Sequence, residues 1–142
     1  MPVSARVQPP AGNSGNVIRD SALGIVPGTL EPYLALNAAV WDAGPLPAAE
    51  VELARLRNAR HTGCVMCQAV RYDVAISDGL TEEKVQMIRA NEPDAELSPR
   101  ERLLVAFVDQ YNLDPAGMDD ALRSALRNQF SEAELLHLSL LV

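Results

Sequence analysis

Aromatic residues are scarce in this chain. Two Phe, three Tyr and the single Trp41 amount to 4% of 142 residues. That is too lean for an all-β sandwich, whose strands draw on β-branched and aromatic side chains. Basic residues are also outnumbered, 12 Lys and Arg against 19 Asp and Glu, which leaves a net charge of −7 and a pI near 4.7. Such a surface repels phosphate backbones, and no basic run offsets it, so nucleic acid is not an expected partner. A membrane partner is not expected either, because no stretch approaches the ~20 uninterrupted apolar residues that span a bilayer. Met1 to Ser14 carries one Arg but no apolar core and no cleavage signal, so the expectation is a cytoplasmic protein.

What the chain does have is a core's worth of apolar residues, 48% against 22% charged, in a length typical of one domain. Residues 1–28 hold Pro9, Pro10, Gly12, Gly15 and Pro27 without sustained periodicity and read as an extended N-terminal arm. Residues 29–142 read as one all-α domain. Leu30 to Trp41 is rich in Leu and Ala and stops at Gly44-Pro45-Leu46-Pro47. A second helix runs from near Pro47 to about His61, and a third from Cys64 to about Ile76, ended by Asp78-Gly79. Thr81 reads as the N-cap of a fourth helix, with Glu82 and Glu83 in its first turn. Ser98-Pro99-Arg100-Glu101 and Ser131 to Glu134 are capping boxes, and Leu122, Leu126 and Phe130 form one stripe between them. The last helix, apolar on several sides, implies deep burial or a subunit contact. No alternating strand run and no internal repeat occurs.

Both cysteines fall in one tetrapeptide, Cys64-Val65-Met66-Cys67. In a reducing compartment two adjacent cysteines point to redox or metal chemistry more than to a static staple. On a continuous helix Cys64, Cys67 and Arg71 fall within an arc of roughly 60°, so one face presents two sulfurs and a guanidinium. First-turn N–H groups and a permanent cation both favour the thiolate, which is the reactive form. A c-type haem site fails because Gln68, not His, follows the second cysteine. A thioredoxin-like motif would follow a strand. A structural zinc site needs four ligands, and beside the cysteines only His61 and the distant His137 are available. No metal is expected. Two inert cysteines packed on a core face remain a reading open to spacing alone.

Glu52, Arg55, Asn58, Cys64-Val65-Met66-Cys67, Arg71 and Gly79-Leu80-Thr81-Glu82-Glu83 together resemble the carboxymuconolactone decarboxylase and alkylhydroperoxidase D family. That family carries a Glu a dozen residues before Cys-x-x-Cys, a His four residues after the second Cys, and a Gly-Leu-Ser/Thr-x-Glu helix start. The resemblance is strongest from about Pro47 to Ile88 and extends more loosely through Leu103 to Leu138. It implies an all-helical bundle that assembles into dimers, trimers or hexamers. In the peroxidase branch the cysteines cycle between dithiol and disulfide while reducing hydroperoxides, and a partner thiol reductant recharges them. No cofactor beyond a redox-active Cys64–Cys67 disulfide is implied.

On that resemblance the catalytic set is Cys64, Cys67, Glu52 as proton acceptor and Arg71, with His61 and Tyr72 as auxiliaries. Taken without the resemblance, Glu52 is a solvated helix-face acid that can pair with Arg55. Arg71 departs from the family pattern, since it stands where the relay His stands. Histidine exchanges protons near neutral pH and arginine does not. Arg71 can hold a thiolate or pair with Glu52, but it cannot pass a proton to a leaving alkoxide. His61 substitutes only if it turns toward the sulfurs. The leading expectation is a thiol-dependent peroxidase. A lactone decarboxylase using Arg71 for a substrate carboxylate is the first alternative, and a non-catalytic oligomeric binding protein the second.

Overall fold

Several helices begin at residues whose side chains cap their first turn. The computed structural model describes residues 7–90 and 97–142. Among them every regular element is a helix: α1 (Pro27–Asp42), α2 (Ala48–His61), α3 (Val65–Ala69), α4 (Asp73–Ser77), α5 (Glu82–Ala90), α6 (Pro99–Leu113), α7 (Asp120–Gln129) and α8 (Glu132–Leu140). Short 3-10 turns occupy Ala22–Ile25 and Pro115–Gly117. Both serine capping boxes close as the spacing requires. Ser98 Oγ accepts the Glu101 N–H and the Glu101 carboxylate accepts the Ser98 N–H; Ser131 and Glu134 do the same. Asp119 caps α7 by accepting the Leu122 N–H at 2.7 Å.

The chain divides into two compact units, Met1–Asp42 and Ala43–Val142. In the first, the expected extended arm is folded locally from Ser14 onward. Asn16 Oδ1 accepts the N–H groups of Ile18 and Arg19, and the Asp20 carboxylate accepts the Ser14 N–H. Ser21 caps the 3-10 turn, and Arg19 pairs with Glu31 on α1.

In the second unit α2 is the central element, packed against α3, α4, α5 and α6. Val51, Leu53, Ala54, Leu56 and Ala59 are buried along it, as expected of a helix covered on several sides. Charges buried on such a helix need partners, because an unpaired ion in the interior is costly. Each finds one: Glu50 pairs with Arg100, Glu52 with Arg55, and Arg57 with Asp109. The α2 terminus turns at Gly63, whose φ of +66° suits glycine. The Cys64 N–H there reaches back to the Ala59 carbonyl and the Gly63 N–H to Arg60.

The expected helix from Cys64 to Ile76 is instead two short helices. Val70 is extended (φ −72°, ψ 143°), and Cys64 precedes α3 as its N-cap. A continued helix would give the carbonyls of Cys67 and Gln68 backbone N–H partners one turn on. Here guanidinium groups replace those donors. Arg55 Nη1 donates to the Cys67 carbonyl at 2.6 Å, and Arg71 Nη1 to Gln68 at 2.7 Å. At the far end of the unit, His137 on α8 is buried and its Nδ1 accepts the Leu46 N–H at 3.4 Å. Its ring lies so close to Gly44 that a Cβ there would stand 1.9 Å from it.

Candidate active site

The turn between α2 and α3 brings the cysteines together, and they form a disulfide with their Cα atoms 5.3 Å apart. The Cys67 N–H points at Cys64 Sγ from 3.3 Å. An N–H aimed at a sulfur favours negative charge on it. The tetrapeptide sits at the surface: both cysteines are half-buried, while Val65 is 80% and Met66 53% exposed. Gln68 secures α3 to the end of α2 by donating its side-chain amide to the Ala59 carbonyl at 3.1 Å.

Glu52 on α2 is fully buried, at 0% exposure, rather than solvated. Both its carboxylate oxygens accept from Arg55, Oε2 from Nε at 2.6 Å and Oε1 from Nη2 at 2.7 Å. The same guanidinium donates to the carbonyls of Cys67 and Val70 and lies 5.3 Å from the centre of the Tyr72 ring. Glu52, Arg55, Tyr72 and the Cys67 backbone therefore form one cluster. Arg55 carries it, although the sequence reading left Arg55 outside the candidate site. The available signal was its place three residues after Glu52, the spacing of a helical ion pair.

Two expected site residues lie elsewhere. Arg71 does not share a helix face with the sulfurs, because the chain leaves the helix at Val70. Its Nε pairs with Glu82 of α5 at 2.7 Å, and its Nη1 donates to the carbonyls of Gln68 and Val70. His61 points away toward α6, its Nε2 2.6 Å from Asp109 Oδ1. Asp109 also receives Nε and Nη2 of the buried Arg57. Burial opposes the charge on Asp109, but hydrogen bonds from Arg57 and His61 hold its carboxyl below the usual aspartate range. No three His, Cys, Asp or Glu side chains converge as a metal-binding set among the described residues. Nor, among them, is any helix long and apolar enough to cross a membrane.

The helical unit thus carries a Cys-x-x-Cys disulfide linked through Arg55 to a buried glutamate. Residues 27–110 match the carboxymuconolactone decarboxylase family, and the chain belongs to it. A solved structure from Agrobacterium tumefaciens shares the fold with a TM-score of 0.74 at 22% identity, over 87% of this chain and 85% of that one. That protein is of unknown function and is provisionally assigned to antioxidant defence as AhpD. No curated protein matches the sequence.

Proposed function

We propose that the protein is a thiol-dependent peroxidase that cycles Cys64 and Cys67 between dithiol and disulfide at the expense of organic hydroperoxides. The observation that carries this reading is a disulfide at the surface whose Cys67 carbonyl is tied through Arg55 to the buried Glu52 carboxylate. In the first step a cysteine thiolate attacks the distal oxygen of the hydroperoxide. The O–O bond breaks, the sulfur becomes a sulfenic acid and the alkoxide leaves to take up a proton. The second thiol then displaces water from the sulfenic acid and the disulfide forms. A partner dithiol returns both electrons by thiol–disulfide exchange and is itself oxidised. The Cys67 N–H aimed at Cys64 Sγ makes Cys64 the sulfur attacked by peroxide.

Exposed Val65, Met66, Val70 and Tyr72 beside the sulfurs support docking of the reductant or of a second copy in a homo-oligomer. A cycle that needs constant reduction fits the cytoplasm. Relatives of the relay type carry His where this chain has Arg71, so the alkoxide proton here comes from solvent.

The test is a free-thiol count on the reduced native protein before and after one equivalent of a small organic hydroperoxide. Loss of both thiols within seconds, restored by dithiothreitol, is the expected result. Two thiols that survive the peroxide overturn the peroxidase reading.

One observation favours a second reading, a lactone decarboxylase. The Arg71 guanidinium already seats a carboxylate, that of Glu82, at a position where Glu82 is 60% exposed and easily displaced. Ultraviolet-monitored turnover of a carboxymuconolactone by the Cys64→Ser/Cys67→Ser protein supports that reading, and its absence removes it.

A further inference from the structure

Arg55 engages four of the five donors a guanidinium has: two hold Glu52 on the same helix, and two tie the cysteine region to α2. Two parallel bonds lock the Glu52 carboxylate in a fork that a lysine ammonium cannot reproduce. The other two take the Cys67 and Val70 carbonyls, where the helix stops. The guanidinium is thus one carbonyl away from the Cys67 side chain, and its side chain is only 17% exposed, so solvent screens its charge little. Other charged and titratable groups around the pair have partners of their own. Arg71 is held by Glu82 on α5, and Tyr72 at the start of α4 lies against the guanidinium face.

We propose that Arg55 is the positioning residue of the cysteine pair. It holds the Glu52 carboxylate and the Cys67 carbonyl in one frame and sets against the charge of Glu52 an equal positive charge one carbonyl from the cysteine pair. The inference rests on the thiol–disulfide reading of Cys64 and Cys67. Without Arg55 the negative charge of the buried Glu52 goes uncompensated, and a like charge nearby disfavours the thiolate. Without Glu52 the guanidinium acts on the thiolate uncompensated and favours it. Removing both restores the balance. A residue that merely packs does not produce opposite shifts that cancel.

The experiment measures iodoacetamide alkylation of the reduced full-length protein against pH, in wild type, Arg55→Met, Glu52→Gln and the double variant. The expected midpoint for thiolate formation rises by ~0.5–1 pH unit in Arg55→Met and falls by a similar amount in Glu52→Gln. The double variant returns to within ~0.3 unit of wild type. Single variants that shift the same way, or that leave the midpoint in place while far-ultraviolet circular dichroism shows them folded, overturn the proposal. Should Arg55→Met not fold, Glu52→Gln still decides. It lowers the midpoint, and a midpoint unmoved or raised in folded Glu52→Gln overturns the proposal. Alkylation requires no hydroperoxide. A failed thiol-loss test therefore strikes the peroxidase reading alone, and an unmoved alkylation profile strikes the role of Arg55 alone.

Discussion

Replacing Arg57 by Met removes the cation that joins α2 to α6. The Arg57 side chain is 9% exposed and holds both Asp109 oxygens as well as the Ile88 carbonyl. Breaking a fully buried pair costs about 3–5 kcal/mol, chiefly because the remaining charge is stranded. Asp109 is not stranded completely. Its side chain is 29% exposed and keeps His61, and the Ile88 carbonyl keeps a longer contact from Arg60. The expected loss is therefore ~2–3 kcal/mol, which for a chain of this size lowers Tm by about 6–12 °C. Urea unfolding followed by circular dichroism measures it.

The loss has a definite pH dependence. Asp109 is held below the ordinary aspartate value of 3.8 in the folded protein. Its stabilisation is fully present above the unfolded value and disappears as pH falls through the folded one. Arg57→Met gives up much of that stabilisation at pH 7, so the gap between variant and wild type narrows on acidification toward pH 3. Arg57→Met/Asp109→Leu, which leaves no stranded carboxylate, lies closer to wild type than Arg57→Met alone. A gap under ~0.5 kcal/mol at pH 7, or one that widens in acid, refutes the reasoning.

Replacing Cys64 or Cys67 by Ser abolishes hydroperoxide-driven disulfide formation. Dimedone trapping of a sulfenic acid in Cys67→Ser, but not in Cys64→Ser, identifies Cys64 as the attacked sulfur. Arg71→His supplies a proton-exchanging ring and raises the rate of peroxide reduction near neutral pH, with a new limb in the pH profile; an unchanged or lower rate contradicts that account of Arg71. The exposed Glu82 partner adds little to the stability cost of that change, but loss of the donors to the Gln68 and Val70 carbonyls brings it to ~1–3 kcal/mol. Gly44→Ala drives a methyl group into the buried His137 ring and costs ~1–3 kcal/mol in urea unfolding. Cost-free substitution there would mean that His137 moves aside easily.

Helix positions in the second unit were readable residue by residue. Ser98, Asp119 and Ser131 are caps whose side chains bond the N–H groups three residues on, and such bonds depend only on neighbours in sequence. Gly63 and Gly79 likewise end helices by local backbone geometry. The pairing of Cys64 with Cys67 is equally local. The break at Val70 was not readable, because no Gly or Pro marks it. It depends on arginines that satisfy carbonyls an uninterrupted helix would have bonded itself. The same holds for the partners of His61 and Arg71, which lie on α6 and α5, far along the chain or across a loop.

Glu52 shows the division most clearly. Its spacing before the cysteines and its distance of three residues from Arg55 are properties of the sequence, as are the cysteine tetrapeptide, the helical class and the family resemblance. Its complete burial is not. A carboxylate on a helix with charges on several faces gives no sign of which face turns inward. Only the packing of α2 at the centre of the unit decides that Glu52 and Arg57 point inside. Local hydrogen bonds and covalent spacing are fixed by order along the chain, whereas burial and long-range ion pairs arise only when helices distant in sequence meet.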